Sequence, residues 1–94
     1  MKQEANLVVM VTMMGTNSAH RIHSPDSITD VAFALYKDAK EHGFLHLKDP
    51  EDNSEIFILV PPTVPLILKV VEKNVFIRMQ AEMARAQGGG RLVT

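Results

Sequence analysis

His20, His23, His42 and His46 are, with the carboxylates, the residues of this chain whose types could hold a metal ion or move a proton. Their spacing works against joint action. If "HRIH" (20–23) is a strand, His20 and His23 point to opposite faces, because strand faces repeat every two residues. His42 and His46 straddle Gly43, where a helix is expected to end, so the i, i+4 geometry of a helical zinc site is lost. Solvent-facing or hydrogen-bonded histidines are therefore the expectation. A metal-dependent protein, with histidines brought together at a subunit interface, stands third among the functional readings, and no cofactor is indicated.

Other constellations fail on the residues they lack. "DPEDNSE" (49–55) imitates the start of a calcium loop with Asp49, Glu51, Asn53 and Glu55. Ser54 stands where that loop needs glycine, however, and Val60 where it needs the bidentate glutamate, so a solvated hairpin turn is expected. Ser18, Ser24, His20, His23 and Asp26 crowd together in sequence, but a catalytic triad is assembled by geometry across a fold. "QGGGR" (87–91) lacks the Lys-Ser/Thr and following helix of a phosphate loop. The chain has no cysteine, so it has no disulfide, thiolate ligand or cysteine nucleophile. Nothing here supports an enzyme.

Charge is uneven. Lys69, Lys73, Arg78, Arg85 and Arg91 outnumber Glu72 and Glu82 near the C-terminus, while Asp49, Glu51, Asp52 and Glu55 outnumber Lys48 in the turn segment. A nucleic-acid-associated protein using those five basic residues is the second reading. It is disfavoured by the small aromatic set, four Phe and one Tyr, and by a formal net charge of −1. The plainer expectation is a solvated helix face, with the basic and acidic segments complementary between neighbouring copies.

These residues need a scaffold. At 94 residues, 46% hydrophobic and 22% charged, the chain reads as one small folded domain over 1–87 with a flexible Gly-rich tail over 88–94. "MKQEANLVVMVTMMGTNSA" has the outline of a signal peptide, but Glu4 offsets Lys2 and no Ala-x-Ala site follows, so a core strand is expected at 7–14. A cysteine-free chain fits the cytoplasm.

Element by element, 7–14 is a strand apolar on both faces, "GTNSA" (15–19) is a turn, and 20–23 is a short partner strand. Residues 24–43 read as an amphipathic helix ending at Gly43, with Ser24 as its cap or, one turn later, a Ser27–Asp30 capping box. Ile28, Val31, Ala32, Leu35, Tyr36 and Ala39 form its apolar stripe, and Phe33 lies outside it. "FLHL" (44–47) and "EIFILV" (55–60) make a hairpin, the second strand again apolar on both faces. The uncharged run from Ile56 to Leu68 is too short to span a bilayer, which takes about 20 residues, and carries three prolines. After it, either 66–72 is a strand followed by a helix from Asn74 to Gln87, or one long helix runs from about residue 63. Concentrated β-branched residues favour the strand.

The expected architecture is α+β: a mixed or antiparallel sheet of four or five strands, the 25–42 helix on one face, and the C-terminal helix or another subunit on the other. Strands apolar on both faces, in a chain with little helix to cover them, lead to the first functional reading. It is a non-enzymatic protein–protein interaction or regulatory module that acts as a homo-oligomer. Its expected contact residues are Phe33, Tyr36, Phe76, Met79 and Met83. The methionines, including Met10, Met13 and Met14, read otherwise as core filler.

Overall fold

The computed structural model describes the backbone of residues 4–93 and the side chains of 4–86. Its elements are β1 (Leu7–Met13), β2 (Thr16–Ile22), α1 (Ile28–His42), β3 (Phe44–Lys48), β4 (Glu55–Leu59), β5 (Leu66–Glu72) and α2 (Lys73–Val93). The α+β expectation holds, but the five strands form two antiparallel sheets: β2–β1–β5, and the β3–β4 hairpin. The long-helix alternative from residue 63 is overturned, because the β-branched stretch 66–72 pairs along the whole of β1. Among the described residues no helix is long and apolar enough to cross a membrane.

The first hairpin turns more tightly than its composition suggested. Met14 and Gly15, at φ 54° and 78°, form the whole connection, and Thr16 already pairs with Met13. Both residues sit left-handed, as a two-residue type I′ turn requires. "TNSA" is therefore strand rather than turn, its polar side chains exposed on the sheet's edge. Met14 is 79% exposed and pays a left-handed penalty with no packing to offset it. Met14→Asn, which creates the favoured Asn-Gly pair, should raise stability by up to about 1 kcal/mol, or roughly 4–8 °C in Tm. An unchanged or lower Tm would contradict the turn assignment.

Of the two caps expected for α1, the structure uses the later one. The Ser27 hydroxyl accepts from Asp30 N at 3.2 Å, while Ser24 Oγ accepts from Asp26 N in the preceding loop. Gly43, left-handed at φ 76°, closes the helix by donating to Ala39 O. The strand β5 passes into α2 without a loop. Its expected end at Gln87 is corrected to Val93. The helical backbone runs on through the three glycines at 88–90, each of which costs about 1 kcal/mol relative to alanine in a helix interior. Most of the segment expected as a flexible tail is thus helical backbone, and Thr94 lies outside the described residues.

The core lies between one face of the three-stranded sheet and a layer made of α1 and the inner face of the β3–β4 hairpin. Leu7, Val9, Val11 and Val70 from the sheet meet Val31 and Ala39 of α1 and Leu45 and Leu47 of β3. On the other sheet face, Val8 and Val71 are buried beside α2 and Arg21, but the cover is partial. From Gln80 to Ala86 every side chain of α2 is exposed. The radius of gyration, 15.1 Å, exceeds the roughly 12 Å of a compact chain this long, as expected if α2 runs on past the sheet.

Candidate interaction surface

Besides single exposed side chains such as Met14, Ile67 and Ile77, three surfaces of the described residues gather bare apolar groups. The first is the outer face of the β3–β4 hairpin. Leu45, Leu47, Ile56 and Ile58 alternate inward, so Phe44, His46, Phe57 and Leu59 alternate outward. The sequence argument required both faces of this hairpin to be covered; within one chain only the inner face is. Phe57 is 66% and Leu59 72% exposed. The register sets Phe44 opposite Leu59 and His46 opposite Phe57. His46 stacks flat on Phe57, ring centres 4.4 Å apart, and its Nε2 lies 2.9 Å from Glu55 Oε1. Phe44 touches the same row, 6.1 Å from Phe57 and 6.0 Å from His42. A ring-bearing strip on a two-stranded sheet results, and none of its residues was singled out from sequence as a contact.

The second place is the outer side of α1, where Phe33 and Tyr36 border a cleft of about 310 Å³ with Ala32, Leu66 and Leu68. The Lys40 ammonium sits 5.4 Å from the Tyr36 ring centre. The third is a groove of about 500 Å³ between α2 and β1–β2, lined by Phe76, Met79, Met83, Met10, Thr12 and Ala19 among others. Phe76 and Met79 are half-buried against the chain's own sheet, and Met83 is exposed. The five expected contact residues therefore fall on two separate surfaces.

The acidic turn has a different role from the one its charge suggested. Asp49, buried at the end of β3, accepts from Arg21 of β2 through Nε at 2.9 Å and Nη2 at 2.7 Å. Glu51 accepts from Arg21 Nη1 at 2.8 Å, Lys73 Nζ at 2.7 Å and Ala5 N at 3.1 Å. One turn thus clasps β2, the start of β1 and the head of α2, and its complementarity to basic residues is satisfied within the chain. The same bonds remove the carboxylates that a calcium ion would need, and among the described residues no group of three His, Asp or Glu could hold a metal ion.

Hydrogen bonding sets the charge states in this clasp. The Lys73 bond, with Ala5 N–H and Arg21, holds Glu51 below its ordinary range, and the Ser54 hydroxyl and amide do the same for Asp52. Glu51 raises Lys73, and Asp49 raises Arg21. Partial burial lowers His20, whose Nε2 meets Ser18 Oγ at 2.9 Å. The depressed groups stabilise the fold above their unfolded values and lose that contribution as pH falls; the raised Lys73 contributes fully below 10.5 and fades as pH climbs through its folded value. Thermal unfolding should accordingly show a plateau from about pH 7 to 10, a decline beginning near 6.5 and a steeper one below about 4.5. A maximum below pH 5 would contradict the clasp.

Of the remaining residues, His23 Nδ1 lies 3.1 Å from Glu4 O, and His42 is in the last turn of α1. Lys69 sits opposite Met10 on the second sheet face, Arg78 and Arg85 are exposed on α2, and Lys73 is engaged by Glu51. The Arg91 side chain lies outside the described residues. A scan against family models and searches of curated proteins and solved structures found no match to this chain.

Proposed function

We propose that this chain is a non-enzymatic interaction module that works as a homo-oligomer, joined through its β3–β4 hairpin. The observation that carries this reading is the bare strip of Phe44, Phe57 and Leu59 on a strand pair whose other face is core. A buried side chain of this size contributes roughly 1.5–3 kcal/mol, so leaving two or three in water forgoes a substantial part of a typical stability of about 5–15 kcal/mol. A second copy joined at this hairpin shields part of the strip, and small domains commonly gain burial by association. The groove at Met83 and the cleft at Phe33 and Tyr36 are secondary contact surfaces in this reading. A cytoplasmic location belongs to this reading, since a cysteine-free chain forgoes no disulfide there.

The test is a mixed-label NMR experiment, with one isotopically labelled and one unlabelled population at high concentration. Contacts between Leu59 methyls of one copy and Phe rings of another are expected. No intermolecular contact, or contacts confined to α2, would contradict the assignment.

A further inference from the structure

We infer that two copies join by pairing their β4 strands edge to edge, antiparallel about a twofold axis through Phe57; this rests on the homo-oligomer reading and specifies its geometry. Backbone parity supports it. Asp49 N donates to Ser54 O at 2.9 Å and Val60 N to Gly43 O at 2.8 Å, which marks 43–60 and 49–54 as hydrogen-bonded positions of the hairpin. In an antiparallel pair those positions alternate, so the amides and carbonyls of Ile56 and Ile58 face β3. The groups of Glu55, Phe57 and Leu59 face the other way. Among the described residues no strand pairs with that edge. Edge strands are ordinarily protected by proline, lysine or a bulge, and β4 contains neither proline nor lysine and keeps an unbroken register.

The edge is complementary to itself. With Phe57 opposite its twin and Glu55 opposite Leu59 of the second copy, every outward amide and carbonyl of the strand finds a partner. The side chains agree with that register. The row His46–Phe57 continues into Phe57–His46 of the other copy, giving four rings in line across a four-stranded sheet, the kind of cross-strand aromatic contact that stabilises sheets. Glu55 keeps Lys48 as its cross-strand neighbour and meets a leucine, so no like charges face each other. An isologous contact of this kind closes as a dimer. Two five-residue strands bury less than the roughly 800 Å² per partner of a standard interface, so dissociation on the order of micromolar is expected.

The chain's lack of cysteine makes the register directly testable. Phe57→Cys places two sulfurs on strand positions about 5.5 Å apart at Cα, within disulfide reach, whereas Leu59→Cys leaves its pair roughly 14 Å apart. Under mild oxidation above the dissociation constant, Phe57→Cys should form a covalent dimer and Leu59→Cys should not. Because the cysteine also removes a contact, a second comparison keeps both outer side chains: Glu55→Pro removes an outward N–H at the first strand position, where proline is tolerated, and should weaken the dimer at least tenfold, while Glu55→Gln should not. If the wild type dimerises but Leu59→Cys crosslinks as readily as Phe57→Cys, or Glu55→Pro leaves dimerisation intact, edge pairing is wrong while the homo-oligomer reading stands. A wild type that stays monomeric at all concentrations overturns both.

Discussion

Replacing Leu45 with alanine should lower the stability of this domain by about 2–5 kcal/mol, the range for large-to-small changes at fully buried sites. Leu45 has no exposed surface and belongs to the cluster in which β3, α1 and the three-stranded sheet meet. Its removal leaves a cavity that a β-strand pinned by register cannot collapse to fill. Against a typical total of about 5–15 kcal/mol, the loss should bring the urea midpoint down sharply with the slope unchanged. Leu59→Ala, on the same hairpin and the same residue type, is the control. Leu59 is 72% exposed, so in dilute solution the change should stay within about 0.5 kcal/mol. Equal losses at the two positions would mean that the inner and outer faces of the hairpin have been assigned wrongly.

The double substitution Phe57→Glu with Leu59→Glu should act in the opposite sense, on assembly rather than on folding. Both side chains are largely in solvent in the single chain, so the dilute monomer should melt within a few degrees of wild type. In the edge-paired dimer Phe57→Glu would set two carboxylates directly opposite each other, and Leu59→Glu would set one opposite Glu55. Like charges would then face each other across the strand pair, and the aromatic contact would be lost. Truncating central aromatic contacts commonly costs at least 2 kcal/mol, so an increase in Kd of roughly thirtyfold or more is expected. Self-association that survives both charges would move the interface elsewhere, with the α2 groove around Met83 next in line. The wild-type Tm should rise with concentration and that of the variant should not, because association stabilises the folded form by mass action.

Much of the scaffold was legible from local chemistry. Gly43 as a helix stop, the Ser27–Asp30 box and the 66–72 strand each rest on one or two residue types whose preferences are strong. The errors came where tertiary structure decides. Gly, Thr, Asn and Ser in sequence resemble a loop, yet Thr16–Ala19 is an edge strand, because a solvent-facing strand demands no apolar residues. Two sheets rather than one follow from how the hairpin folds over α1 and β1–β5, which no local pattern encodes.

The candidate surface was legible in half. Apolar residues on both faces of 55–60 signal an uncovered face, but the strand alone does not say which parity points outward, so the sequence points to Phe33 and Tyr36 of the helix and not to Phe57 and Leu59. Aligning the two strands across the 49–54 turn would have set His46 beside Phe57 and Phe44 beside Leu59 and exposed the strip. The clasp was hidden for another reason. Arg21, Glu51 and Lys73 are far apart in sequence, and only the folded chain brings the turn's acids to basic partners near the end of β2 and at the head of α2.

The most direct measurement is the absolute molar mass of the wild type by size exclusion with light scattering, from low-micromolar to high-micromolar chain. The monomer mass is 10.5 kDa. The mass should climb with concentration toward twice that value, and the Phe57→Glu, Leu59→Glu variant should hold at the monomer value throughout. A wild type that remains at 10.5 kDa across the whole range would contradict self-association as the role of the bare hairpin face.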